Sequence, residues 1–370
     1  MSEANGDSHR VPSAPDTRVG IDGRKFPRAA ELGPIALLQR CAELGYAGVF
    51  FRTILDVAPD LDAGRLREMR GLADELGLFL ELGLGKVNPF NTSEDHTVRA
   101  IGDGDYLLGM TRMIEAAAAV DCRLLWADTA NFQRHSWGQF AIDRFRTDVT
   151  WDEQLAATTG FVRRLVPVLD HHDARLSVET HEEITTDELV RMGDQVGDRF
   201  GVTLDLANVV VRGEEPVAAT RRVAHLVNQT HLRDVALFCT ADGLRRQIRA
   251  CGDGVIDWLA VLGALREAGR EPNLTIENAW LDYNAIPLYR REWQLAHPDL
   301  RVAEVLELVR LAQDFADQVG RSERPGVDDY YANPDPVAGQ LDFIARSAET
   351  LARAASELAD PHDRESAEPS

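Results

Sequence analysis

Four residues able to bind a cation close short β-rich runs in the second half of the chain: Glu179, Asp205, His231 and Glu277. The runs are Arg175-Leu-Ser-Val-Glu179, Phe200-Gly-Val-Thr-Leu-Asp205, Leu226-Val-Asn-Gln-Thr-His231 and Asn273-Leu-Thr-Ile-Glu277. Their spacings are 26, 26 and 46 residues, two strand-plus-helix units and then one with a long insertion. Three carboxylates and one imidazole make a hard, oxygen-rich donor set. It suits Mn²⁺ or Mg²⁺, with Co²⁺ also fitting, better than a thiolate-rich zinc site. A divalent ion held there leaves room for two substrate oxygens and polarises a carbonyl, easing removal of a neighbouring proton. Singly, each residue reads as a helix cap or a core histidine. Four at consecutive strand ends read as one site.

Such residues meet only if a scaffold brings the strand ends together. Earlier β-rich runs are Arg18–Asp22, Gly48–Arg52, Leu78–Leu82 and Arg123–Trp126, so the chain holds eight. Between them lie apolar patterns of helical period, at 34–45, 109–120, 151–169, 186–197, 216–224 and 256–268. Gly45 stands where a helix C-terminus favours glycine. Eight strands alternating with helices specify an α/β fold, a (β/α)8 TIM barrel with its active face at the carboxyl ends of the strands. An open doubly wound sheet is the alternative, and the count of eight with its strand-end chemistry favours the barrel. The expected organisation is a disordered tail over 1–16, a catalytic barrel over 17–320, and a C-terminal extension over 321–370. Residues 129–150 and 281–301 read as long loops on the active face. Helices are expected over 302–319 and 337–358, with a disordered end from Asp360.

Other residues fall near the same mouth. His181, two residues past Glu179, suits proton transfer, so the catalytic candidates are Glu179, Glu277 and His181. Asn208, Lys86, Trp126 and Arg249 are candidates for substrate contact. Arg52, Glu81, Asn88 and Asp128 lie at the ends of strands 2 to 4 and line the opposite wall. Arg245, Arg246 and Arg249 read as a basic loop after strand 7. Gly252-Asp-Gly254 does not complete GxGxxG and follows no strand, so it marks entry to a helix capped by Asp257 rather than a dinucleotide site. Lys25 and Lys86 are the only lysines, and neither sits at strand 6, which argues against Schiff-base chemistry.

The chain has 370 residues, 61 acidic and 40 basic, with a formal charge of −21. That excludes nucleic acid and anionic membrane surfaces as partners, since both demand a basic patch. The first residues lack the apolar stretch of a secretory signal, no run is long enough to span a bilayer, and the four cysteines form no CxxC pair. A cytoplasmic location is the expectation.

The motifs Val-Glu179-Thr-His, Thr-Leu-Asp205-Leu-Ala-Asn, Thr-His231-Leu-Arg-Asp, Cys-Gly252-Asp-Gly254-Val-Ile-Asp257-Trp and Thr-Ile-Glu277-Asn resemble the xylose-isomerase-like TIM-barrel superfamily. This sugar isomerase/epimerase group includes ketose 3-epimerases and inosose dehydratases. The resemblance runs over roughly residues 18–318. It implies that Glu179, Asp205, His231 and Glu277 are the divalent-metal ligands, most simply of Mn²⁺. It also implies a keto-sugar or sugar-derived substrate, with proton abstraction beside a carbonyl giving a stabilised enediolate. The ketose 3-epimerase pattern has histidine where this chain has Asn208, and arginine where it has Leu237. The superfamily also holds dehydratases, oxo-acid decarboxylases and C-glycoside deglycosidase subunits, so a lyase is the alternative. An endonuclease IV-like nuclease would need a basic surface, and a non-catalytic sugar-binding subunit would not need the metal constellation. A homo-oligomer or small partner subunit is compatible, with the Tyr330-Tyr331 segment placed to cover a neighbour.

Overall fold

The computed structural model describes residues 18–91, 96–130, 148–279, 283–332 and 335–359. Both expected terminal tails, most of loop 129–150 and part of loop 281–301 lie outside the described residues. The barrel strands are β1 (Val19–Asp22), β2 (Gly48–Phe51), β3 (Phe79–Lys86), β4 (Leu124–Asp128), β5 (Arg175–Glu179), β6 (Phe200–Leu204), β7 (Val227–Thr230) and β10 (Leu274–Ile276). They pair in parallel in the order β10-β1-β2-β3-β4-β5-β6-β7. A short parallel bridge, Leu232 to Ile276, closes the ring, with Leu232 N–H donating to Thr275 O at 2.7 Å. The TIM barrel read from the strand count is the observed architecture.

Period-two alternation divides the strand residues between two environments. Leu176, Val178, Val202 and Leu204 join the apolar layer packed under the helices. Across the strands, Asn273 Nδ2 donates to Glu81 at 2.6 Å and Thr203 Oγ1 to Gln229 at 3.4 Å. The buried polar pairs form where strands from distant parts of the chain converge.

The helices are α1 (Ala29–Leu44), α2 (Ala63–Glu75), α3 (His96–Ile101), α4 (Tyr106–Ala118), α5 (Trp151–His171), α6 (Thr186–Val196), α7 (Leu206–Val209) and α8 (Pro216–Val223). They continue with α9 (Trp258–Glu267), α10 (Arg291–Leu295), α11 (Val302–Gly320) and α12 (Pro336–Ala359). Thr150 and Thr185 close capping boxes with Glu153 and Glu188, which explains the sharp starts of α5 and α6. Gly45 takes the left-handed conformation after α1. Among the described residues, no helix is long and apolar enough to cross a membrane.

The basic loop expected after strand 7 is instead a hairpin. β8 (Asp234–Thr240) pairs antiparallel with β9 (Gly243–Arg249), and β11 (Tyr283–Ile286) adds to β9. Asp242-Gly243 is a hairpin turn signal, and Leu244-Arg-Arg-Gln-Ile-Arg249 is a strand carrying mixed side chains. Arg245, Arg246 and Arg249 therefore lie in regular structure. The extension returns to its own barrel: Tyr331 donates to Ile248 O, Tyr330 Oη accepts from Ala250 N–H at 2.8 Å, and α12 packs on β1, β10 and α9. Tyr330 and Tyr331 thus contact this chain's own residues.

Candidate metal centre

Each proposed ligand owes its place to a strand end. Glu179 is the last residue of β5, in register with Thr203 of β6. His231 follows β7, with its N–H donating to Leu204 O at 2.9 Å, and Glu277 follows β10, with its N–H donating to Leu232 O at 3.1 Å. Ligand atoms of Glu179, His231 and Glu277 all lie within 4.8 Å of one another, and all three residues are buried. The Phe50 ring meets the His231 ring edge-on at 4.5 Å.

This trio fits a cation by what it leaves unsatisfied. Both ring nitrogens of His231 and Oε2 of Glu277 are buried without a hydrogen bond, although His231 Nδ1 lies 3.3 Å from Glu179 Oε2. Buried polar atoms are nearly always paired, and a cation could satisfy these. Burial alone would raise the Glu179 carboxyl, but the adjoining His231 holds it down to about 2. Burial likewise opposes charge on His231, and Glu179 reverses that and raises it. Glu277 sits well below the usual carboxylate range because Arg233, Arg52 and Lys25 outweigh its burial.

Asp205 stands beside the trio rather than in it. Its Oδ2 accepts from Arg233 Nη2 at 2.6 Å, Arg233 Nε at 3.0 Å and Asn208 Nδ2 at 2.9 Å, while Oδ1 caps Ala207 N–H. Burial pushes its carboxyl up to about 7 against the pull of Arg233. The structure places Asn208 in this bracing: its amide also approaches Glu179 Oε1 at 3.4 Å, and its Oδ1 accepts from Arg233 at 2.9 Å. Trp126 braces the trio from β4, its indole N–H donating to Glu179 Oε2 at 2.8 Å.

Arg52, at the end of β2, bridges Asp22 at 2.7 Å and Glu277 at 2.5 Å, which ties it to the trio. Arg233 went unsingled in the sequence, although it sits two residues past His231, the spacing that returns a side chain to one face of an extended segment. Arg246, from the unexpected hairpin, donates to Glu182 at 2.7 Å and to Asn208 at 3.4 Å. His181 Nδ1 bonds Glu183, whose other oxygen accepts from Thr129. Despite burial, Glu183 raises His181 to about 10. Lys86 ends β3, half-buried, and burial raises the nearby Asp128 to about 6 against the pull of Lys86.

Two wall residues serve structure: Asn88 donates to Gln154 at 3.0 Å, and Glu81 is bound by Asn273 within the barrel. Arg249 packs against the C-terminal extension. Its guanidinium lies 3.8 Å over the Tyr330 ring and donates to Gln247 at 2.6 Å and to Gly326 O at 3.2 Å. That aromatic and carbonyl cage holds it against the extension. Gly252–Trp258 wraps around Asp234, which accepts from Gly252 N–H, Ile256 N–H and Trp258 Nε1. A Cβ at Gly254 would lie 2.2 Å from Asp234 Oδ1, and Asp257 caps α9. The glycines therefore serve this wrap and not a dinucleotide.

A family model described as xylose isomerase-like TIM barrel matches residues 38–285. No curated protein matches the sequence. Among solved structures, the chain is similar to D-psicose 3-epimerase with D-tagatose from Clostridium cellulolyticum H10. That pair has 15% identity over 83% of this chain and 100% of the other, with a TM-score of 0.55. It is similar to 3-keto-D-glucoside 4-epimerase, YcjR, from E. coli, with 13% identity, 76% and 100% coverage, and a TM-score of 0.52. A xylose isomerase-like TIM barrel protein from Mycobacterium smegmatis in complex with magnesium shares 15% identity, 80% and 99% coverage, and a TM-score of 0.53. At such identities the likeness is one of fold.

Proposed function

The chain belongs to the xylose isomerase-like TIM-barrel family, and we propose that it is a divalent-metal-dependent isomerase or epimerase of a keto-sugar or sugar derivative. The observation that carries this reading is the buried Glu179–His231–Glu277 trio, whose ligand atoms lie within 4.8 Å of one another and in which both His231 ring nitrogens and Glu277 Oε2 have no hydrogen bond. Glu179, His231 and Glu277 would hold the ion, and Asp205 would join them as a fourth ligand by turning Oδ2 from Arg233 and Asn208. The oxygen-rich set favours Mn²⁺ or Mg²⁺, and one fold neighbour is a complex with magnesium. When bound, the ion supplies Lewis-acid polarisation of a carbonyl beside the proton to be removed.

The protein's own residues do the rest. Glu179 and Glu277 come from strands β5 and β10, so two carboxylates flank the substrate carbon; one takes the proton and the other returns it. Such general acid–base steps contribute about 10²–10⁴-fold. Trp126, Asn208 and Arg52 fix the carboxylate oxygens, which keeps the proton acceptor aligned. Return of the proton from the other side gives epimerisation, and return to the neighbouring carbon gives isomerisation. A lyase outcome has one observation in its favour: the His181–Glu183 pair places an oriented proton donor beside Glu179, able to protonate a leaving group.

Metal analysis and turnover test the site together. Glu277→Gln and His231→Ala are expected to lose bound Mn²⁺ and at least about a hundredfold in kcat, the scale of a lost general base. Retention of both metal and turnover in both variants overturns the assignment. Solvent deuterium entering a recovered ketose supports epimerisation, while release of water, an aglycone or CO₂ selects the lyase.

A further inference from the structure

Asp128 is the last residue of β4, and its place follows from the two-residue period of a strand. Two positions earlier, Trp126 turns its indole to Glu179, while Ala127 between them joins the apolar layer under the helices. Asp128 therefore projects from the same face as Trp126, one step nearer the open end of the barrel. The pairing of Ala127 with Val178 sets it level with Glu179 on β5, and its partner across the β3–β4 ladder is Lys86. It stands between a member of the trio on one neighbouring strand and a lysine on the other.

The carboxylate at this place has no donor from the protein. Among the described residues none gives it a hydrogen bond or an ion pair, although Lys86, His181, Glu179 and Glu183 are its charged neighbours. His181 Nδ1 is taken up by Glu183, whose other oxygen accepts from Thr129. Glu179, His231 and Glu277 are at most 3% exposed, whereas Asp128 is only partly buried, so a molecule in the mouth reaches it. Its surroundings still withhold much of the water, since burial raises the carboxyl to about 6.

An ionised carboxylate only accepts hydrogen bonds. Where the protein supplies no donor and water is scarce, a donor brought by the ligand is favoured. A hydroxyl and an ammonium both qualify, and Lys86 alongside disfavours the ammonium by like charge. Neighbouring strands lie about 4.8 Å apart, so one hexose chain spans from the trio to Asp128. Resting on the isomerase reading, we infer that Asp128 is a specificity residue, accepting a hydrogen bond from a keto-sugar hydroxyl remote from the reacting carbons. The favoured substrate carries that hydroxyl free. An analogue in which it is removed or esterified leaves the carboxylate unpaired, the kind of mismatch that polar sites reject strongly.

The test uses the full chain loaded with Mn²⁺, with D-fructose and its 4-deoxy, 5-deoxy and 6-deoxy analogues as probes. Calorimetric Kd and solvent-deuterium exchange are both read in the natural chain, Asp128→Asn and Asp128→Ala. One analogue is expected to bind at least about tenfold more weakly than D-fructose, the scale of a lost hydrogen bond to a charged group. In Asp128→Ala that gap closes because D-fructose itself weakens, and the gaps of the other two analogues stay as they were. Asp128→Asn keeps an acceptor of the same reach and retains part of the gap. Circular dichroism and bound Mn²⁺ confirm that both variants fold. Undiminished binding of D-fructose to Asp128→Ala, a gap that survives in it, or failure of all four probes to bind the natural chain overturns the inference. The selective loss without exchange into any probe would keep the hydroxyl subsite and sink the isomerase reading. Exchange into the probes, with Kd values that Asp128→Ala leaves unchanged, would do the reverse.

Discussion

Glu179 is gripped through both oxygens, by the Trp126 indole at 2.8 Å and the Asn208 amide at 3.4 Å, with His231 at 3.3 Å. In the proposed reaction Glu179 would take a carbon-bound proton, and such restraint would serve it, because small misplacements lower the rate steeply. Trp126→Phe keeps the aromatic contact with Phe50, now 5.8 Å between ring centroids, and deletes only the indole donor. The expected result is a folded protein about 1 kcal/mol less stable, with kcat down at least about tenfold. Melting and steady-state kinetics check this; an unchanged kcat would show that Trp126 does not position Glu179. At this scale the residue types able to hold a cation were legible in the sequence. Their mutual arrangement was not: Asp205 is turned to Arg233, which follows from a side-chain direction that spacing does not encode.

At the scale of elements, the β2–β3 seam links the fold to the site. The β3–β4 register shifts between Gly83 and Gly85, and a Cβ on Gly83 would lie 2.1 Å from Arg52 O and 2.8 Å from Trp126 Cε3. Gly83→Ala must therefore displace the backbone of Arg52 or the ring of Trp126, two residues that bond Glu277 and Glu179. We expect a loss of about 1–3 kcal/mol, the usual cost of overpacking, and weaker Mn²⁺ binding in the folded variant. A lowered melting temperature with undiminished Mn²⁺ affinity would separate this seam from the site. Strands and the caps at Gly45 and Asp257 were readable because period-two runs and capping residues act over a few residues. The β8–β9 hairpin was readable in principle from Asp242-Gly243, but arginine-rich alternation resembles a solvated loop until the buried partners of Arg246 are known.

In the molecule as a whole, the C-terminal extension covers the barrel beside β1 and β10. Phe343, Ile344, Ala348 and Leu351 of α12 are buried, and the helix packs on β1, β10 and α9. A chain ended after Gly320 is expected to lose cooperative unfolding and to aggregate, because this seam would expose its apolar face. A soluble barrel with the melting temperature of the full chain would show the extension to be a mere appendage. The sequence by itself determined the βα alternation, the caps and the residue types able to hold a cation, since these depend on neighbours a few positions away. Only the tertiary structure decided who meets whom. Arg52 and Glu277, separated by 225 positions, share a hydrogen bond, and Arg249 is taken from the mouth into the Tyr330 cage. Such pairings depend on strand closure and on side-chain direction in a buried, low-dielectric space, where each charge must find a partner supplied by the whole fold.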